Sequence, residues 1–238
     1  MEKQEKIVQM FNDIAPTYDL ANRVLSMGAD VSWRKIACKT VLSNFKDSSV
    51  NIVDVACGTG DMMGFWQKTA GEFNAKIENL IGVDPSSGML AVAKQKFPEF
   101  KFIEALATQT TLDSGSMDVL SISYGIRNVV EREAALREFN RVLKMGGYAV
   151  VLEFTKRKKG GILTGARDFY LGKILPKIGG FISKNQEAYE YLPNSIEGFL
   201  DAKSFAGELA AAGFEMRLCK SFSMDISTLF IAQKAREC

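Results

Sequence analysis

The chain has 238 residues, 47% hydrophobic and 24% charged, enough for one α/β domain with an insertion. Its formal net charge of +2 argues against bulk nucleic-acid binding, and no apolar run approaches the roughly 18 residues of a membrane span. Histidine is absent, which excludes His-based triads, His general bases and His-x-x-x-His metal sites and leaves acid–base work to Asp, Glu, Tyr, Lys or water.

The first residues, Met-Glu-Lys-Gln-Glu-Lys, are charged and lack the apolar core of an export signal. Cys38, Cys57, Cys219 and Cys238 show no Cys-x-x-Cys spacing, which fits free thiols in a reducing compartment. In chain order, a short helix is predicted over residues 4–13, with Ile7, Val8, Met10 and Phe11 on one side and Pro16 as its breaker. A second helical run opens at Thr17-Tyr18-Asp19 and ends near Gly28, and a third covers about 32–45 with Trp33, Ile36, Ala37, Val41 and Leu42. Residues 1–46 thus read either as a helical pack against a sheet or as a lid over a pocket.

An apolar run from Ile52 to Ala56 reads as a buried parallel strand, followed at once by Gly58 and Gly60 and by a helix from about Asp61 to residue 72. A strand over 79–84 ends at Asp84, 24 residues past Gly60, near the spacing of about 20 expected for an acid that grips ribose hydroxyls. Ser86 or Ser87 caps the next helix, which ends at Phe97-Pro98. A strand over 100–105, a polar loop over 108–116, a strand over 117–123, a helix over about 131–143 stopped by Gly146-Gly147, and a strand over 148–154 follow. Such alternation predicts a doubly wound parallel sheet with ligands at the carboxyl ends of its strands. About fifty residues intervene before a helix near 203–212. They begin with the basic turn Lys156–Gly161 and continue in an amphipathic stretch that carries Arg167, Lys173, Lys177 and Lys184. That stretch reads as a solvated loop and surface helix, or as a cap that touches an anionic membrane. Strands over 213–222 and 226–233 are close enough for a C-terminal hairpin.

The glycine loop lacks the third glycine of a dinucleotide fingerprint, since Met63 stands there, which disfavours an NAD-dependent oxidoreductase. The pattern Asp54-x-x-x-Gly58-x-Gly60 instead resembles the first motif of S-adenosylmethionine-dependent methyltransferases. The terminal hairpin agrees with the seven-stranded layout of that class. Acids such as Asp54 and Asp61 suit a cationic sulfonium and ammonium better than a pyrophosphate.

Longer motifs narrow the resemblance. Tyr18-Asp19-Leu20-Ala21-Asn22, Leu25-Ser26 and Trp33 resemble the N-terminal signature of the ubiquinone/menaquinone biosynthesis C-methyltransferase family. So do Gly125-Ile126-Arg127-Asn128-Val129, Ala135-Leu136, Arg141–Lys144, Gly146-Gly147, Leu152-Glu153-Phe154 and Tyr191–Ile196. The likeness covers about residues 8–200. The chain departs from the family at Ala21 (Met there), Asp30 (His), Leu106 (Asn), Met145 (Pro) and Thr155 (Ser).

The resemblance implies a seven-stranded Rossmann-like α/β fold in one domain: a helical lid (1–46), a core (47–155 and 203–238) and a helical cap (156–202). It implies methyl transfer from S-adenosylmethionine, with S-adenosylhomocysteine as product, to a ring carbon of a polyprenyl hydroquinone. No metal is needed. Arg127 would stabilise a developing phenolate, Asn128 would orient the ring oxygen or a water, and Tyr18 joins them by its place in the signature. Asp30 would take the proton, with Asp19 as runner-up. Asp54, Gly58, Thr59, Gly60, Asp84, Met89, Leu106, Ala107 and Ser123 would hold the cofactor: the loop around the methionine part, Asp84 at the ribose, Met89 and Leu106-Ala107 by the adenine. A cytoplasmic enzyme, peripheral at the inner membrane through 156–184 and able to form a homodimer, is the matching expectation. The alternatives are a methyltransferase for another small phenolic or lipid, and a protein that binds cofactor or lipid without turnover.

Overall fold

The computed structural model describes residues 2–156, 186–223 and 225–238. Among these, seven strands form one sheet: β1 (Ser49–Val55), β2 (Lys76–Asp84), β3 (Lys101–Glu104), β4 (Met117–Ser123), β5 (Leu143–Glu153), β6 (Phe214–Phe222) and β7 (Ser227–Lys234). Their order is β3-β2-β1-β4-β5-β7-β6. The first five run parallel, and β7 inserts antiparallel between β5 and β6.

The helices are α1 (Glu2–Ile14), α2 (Tyr18–Leu25), α3 (Ala29–Leu42), α4 (Asp61–Ala70), α5 (Ser87–Lys96), α6 (Arg132–Val142), α7 (Gln186–Glu197) and α8 (Ala202–Ala211). The central strands are apolar on both faces because both faces are covered. Val53, Val55, Leu120 and Ile122 join Phe139 of α6 and Phe205 of α8 in one core layer. Their alternate neighbours Ile52 and Val119 join Trp33 and Leu42 of α3 and Trp66 of α4 in the other. Against the sheet edge, Ile14, Ala21 and Leu25 of the N-terminal segment pack on Met89 of α5.

Several boundaries differ from those predicted: β2, expected over 79–84, begins at Lys76, the second helix ends at Leu25 rather than near Gly28, and two further differences have a local cause. The third helix begins at Ala29, because Gly28 takes a left-handed φ of 76° and can serve as its N-cap; a 3-10 turn over Ser43–Phe45 takes up the end. Strand β5 starts directly after α6, at Leu143, and carries Gly146-Gly147 within it. Leu143 pairs with Met117, and Lys144 reaches Asp118 Oδ1 at 2.7 Å, so the strand is anchored ahead of the glycines. The left-handed Gly146 (φ 79°) sits where the ladder shifts register. The basic turn after Lys156 and the amphipathic stretch with Arg167, Lys173, Lys177 and Lys184 lie outside the described residues. No helix among the described residues is long and apolar enough to cross a membrane.

Candidate active site

The chain leaves β1 toward β2 on one side and is flanked by β4 on the other, so the sheet's switch point lies at the carboxyl ends of β1, β2 and β4. A cavity opens there. Eight of the predicted residues line it: Tyr18, Gly58, Asp84, Met89, Leu106, Ala107, Ser123 and Asn128.

The β1–α4 loop turns through three left-handed residues, Ala56, Gly58 and Gly60. A Cβ built on Gly58 would meet nothing within 4 Å, so the backbone there faces open space that a ligand can approach. Asp84 closes β2. Its Oδ2 accepts the Gly58 N–H at 2.8 Å and its Oδ1 the Ser86 N–H at 2.8 Å. Burial pushes its carboxyl up to about 6, against the pull of those two N–H groups. Ser86 caps α5 by accepting the Met89 N–H at 3.1 Å. At the end of β4, Ser123 Oγ is buried and has no hydrogen-bond partner among the described residues. A buried hydroxyl without a partner is costly. An open glycine cradle, a buried acid with unused lone pairs and an orphaned hydroxyl around one cavity therefore fit a polar, ribose-bearing ligand such as S-adenosylmethionine.

The other five predicted residues stand behind this lining. Asp54 is buried under the glycine loop, where Ser121 Oγ donates to its Oδ1 at 2.6 Å and is itself held by Trp66 Nε1 at 2.9 Å. Burial raises Asp54 to about 7, with Ser121 and Arg34 opposing the rise. Thr59 donates its hydroxyl to Asp19, and Gly60 packs against the Phe97 ring. Asp30 accepts from Arg23 Nη1 at 2.8 and 2.9 Å, from Ser26 Oγ at 2.6 Å and from Arg34. Arg127 lies in the turn after β4: its Nη1 donates to the Tyr124 carbonyl and to Glu153 Oε1, both at 2.6 Å.

Several contributors were not among the predicted site residues, although the apolar side of residues 4–13 and the Tyr191–Ile196 segment both stand out in the sequence. Gln4, Ile7, Val8 and Phe11 of α1 line the cavity, so the apolar side of this helix covers it. The Tyr191 hydroxyl, from α7, donates to Asn128 Oδ1 at 3.0 Å. Burial raises the Tyr18 and Tyr191 hydroxyls above their ordinary values, and the nearby Arg127 charge partly opposes both shifts. Tyr124 adopts φ 59°, a strained setting for a residue with a side chain, and its carbonyl receives both Arg127 and Asn128. Among the described residues no group of three Cys, Asp or Glu side chains is placed to hold a metal ion.

The sheet order and the switch-point cavity are those of class I S-adenosylmethionine-dependent methyltransferases. A solved methyltransferase of this kind from Aquifex aeolicus aligns with a TM-score of 0.57 at 15% identity, over 83% of this chain and 89% of its own. Fold alone does not fix the chemistry, since the cyclase SpnF aligns as well, with a TM-score of 0.59 at 18% identity over 82% of this chain and 79% of its own. Sequence does: the profile of the ubiE/COQ5 methyltransferase family matches residues 1–234, and the chain belongs to that family. It is 62% identical, over 98% of its length and 100% of the relative's, to the ubiquinone/menaquinone biosynthesis C-methyltransferase UbiE of Campylobacter jejuni. It is 36% identical to the demethylmenaquinone methyltransferase of Chlorobaculum tepidum, over 98% of this chain and 94% of the relative. For the Thermus thermophilus protein of that name the identity is 40%, over 87% and 92%.

Proposed function

We propose that this chain methylates a ring carbon of a polyprenyl hydroquinone with S-adenosylmethionine, and that demethylmenaquinol is its acceptor. The observation that carries the reading is the full-length similarity to proteins named for this reaction. When bound, S-adenosylmethionine supplies an electrophilic methyl group. Gly58, Asp84, Met89, Ala107 and Ser123 would hold it, with Asp84 accepting from ribose hydroxyls and Ser123 gaining its missing partner.

The protein's own task is to make the ring carbon nucleophilic. That requires a phenol of pKa about 10 to lose its proton. Arg127 keeps its own proton and acts as a donor to the developing phenolate, an effect of roughly 2.7–4 kcal/mol for a well-aimed group. Asn128, fixed by Tyr191, orients the ring oxygen or a water. Tyr18 lines the cavity, and its neutral hydroxyl would donate to the acceptor. The phenol proton passes to water and is regained by the oxygen when the ring rearomatises, and the ring carbon's proton is the one released after the new carbon–carbon bond forms. Asp30 and Asp19, the carboxylates expected to take the proton, are engaged by Arg23 and Arg34 and by Thr59 and Lys96. Helix α1 serves as the lid. A polyprenyl tail would bring the enzyme to a membrane surface, where the exposed apolar side chains Leu20, Val24 and Met27 suit weak peripheral contact.

Single-turnover assays with reduced demethylmenaquinol test the reading. Wild type is expected to give methylated product, and Arg127→Ala a rate lower by about 100-fold or more. No product, with cofactor binding retained, would remove demethylmenaquinol and turn the search to ubiquinone-type benzoquinols and then to other phenols.

A further inference from the structure

Glu153 ends β5 and is completely buried. An ionised carboxylate so placed costs several kcal/mol unless paired and hydrogen-bonded. Its partners all belong to the reactive turn or its own strand end. Oε1 accepts the Arg127 guanidinium at 2.6 Å and the Phe154 N–H at 2.8 Å, and Oε2 accepts the Arg127 backbone N–H at 3.2 Å. One acid thus grips both the backbone and the side chain of the same arginine. Burial raises the Glu153 pKa, and the Arg127 charge is the largest influence against the rise.

The rest of the guanidinium is equally constrained. Nη1 also donates to the Tyr124 carbonyl at 2.6 Å, Nε donates to Ser195 Oγ at 3.2 Å, and the group lies 5.4 Å from the centre of the Phe154 ring. Nη2 takes no hydrogen bond among the described residues. With Nε and Nη1 both engaged, Nη2 is the nitrogen left to donate to a ligand.

We propose that Glu153 is a positioning residue for methyl transfer: it fixes the Arg127 guanidinium so that the Nη2 edge is kept for the acceptor oxygen. The proposal rests on the reading of Arg127 as the phenolate-stabilising group. A purely structural ion pair would affect folding and cofactor affinity; a positioning pair affects turnover through Arg127.

The test is a double-mutant cycle of Glu153→Gln and Arg127→Ala, with Glu153→Asp alongside, scored by single-turnover rate, acceptor and cofactor KM, and cofactor Kd. Glu153→Gln is expected to lower the rate by roughly 10- to 100-fold, with the cofactor Kd within about twofold of wild type. In the Arg127→Ala background the same substitution should change the rate by less than about twofold, because its route of action is gone. Glu153→Asp, which keeps the charge but is one methylene shorter, should fall between wild type and Glu153→Gln, and it decides the matter if Glu153→Gln does not fold. A wild-type rate in the folded variants, or losses that multiply in the double mutant, would overturn the proposal. If Arg127→Ala alone turns over normally while Glu153→Gln does not, the reading of Arg127 fails first, and the positioning role with it.

Discussion

The Thr59 hydroxyl donates a 2.5 Å hydrogen bond to Asp19 Oδ1, so the second N-terminal helix holds the glycine loop directly. The other oxygen of Asp19 accepts from Lys96 at 2.6 Å, and Lys96 also reaches Asp61 Oδ1 at 2.7 Å. Three elements distant in sequence therefore meet at one carboxylate. Asp19→Ala should weaken S-adenosylmethionine binding roughly tenfold, as expected for losing a charged hydrogen bond that shapes the loop, with little change in turnover at saturating cofactor. Calorimetry and single-turnover rates check this. A lost rate with unchanged affinity would instead make Asp19 the proton acceptor.

Asp30 is enclosed by two guanidinium groups and a hydroxyl, and both it and Arg34 are buried. Removing one member of such a pair leaves a buried charge uncompensated. Asp30→Asn should therefore cost about 3–5 kcal/mol, a fall in Tm of about 6 °C or more for a chain of this size, while the single-turnover rate of the folded variant changes little. Thermal unfolding and single-turnover rates provide the check. A rate lower by about 100-fold or more in the folded variant would give Asp30 the role of proton acceptor that its place in the family signature implies.

The elements were legible because their signals are local. An apolar run followed by glycines marks β1 and its loop, and Ser86 with the pattern after it marks the start of α5. The site was legible where a residue lines the cavity itself, as at Gly58, Asp84 and Ser123. What holds the chemical groups in place was not. Thr59 lies 40 residues from Asp19, Arg127 lies 26 from Glu153, and Tyr191 lies 63 from Asn128. Such pairings are set by how helices pack on the sheet, and no spacing in the sequence encodes them. Asp54 illustrates the converse: the acid in the strand was conspicuous, yet its side chain turns to Ser121 beneath the loop.

Asp84 gives the cofactor site a pH dependence with a definite sign. Burial lifts its folded value to about 6, so folding disfavours the ionised form relative to the unfolded chain. Its contribution to stability is fully present below the unfolded value of about 3.9 and is lost as pH rises through about 6. Ribose hydroxyls donate to the ionised form, so affinity should run the other way. Kd for S-adenosylmethionine should rise by up to about tenfold per pH unit below 6 and level off above it. Asp84→Asn should bind weakly and without that break, in calorimetry from pH 5 to 8. Asp54, at about 7 and sensitive to the Asp84 charge, broadens the transition.

Helix α1 is pinned at both ends of its passage over the cavity. Asn12 Oδ1 accepts from Ser86 Oγ at 2.7 Å and from the Gly88 N–H at 2.9 Å, and Gln4 Oε1 accepts from the Val130 N–H at 3.1 Å. Between these points Ile7, Val8 and Phe11 face the cavity. If α1 must lift for the cofactor to leave, these bonds contribute to the barrier for release. Two of them end at Asn12, and a typical hydrogen bond is worth about 1 kcal/mol. Asn12→Ala should therefore speed cofactor release roughly tenfold or more, and Gln4→Ala, with one bond to an exposed turn, less. Stopped-flow displacement of bound cofactor measures both. Equal release rates in wild type and Asn12→Ala would mean that the cofactor leaves by a route that α1 does not cover, and α1 would then be a fixed wall of the site.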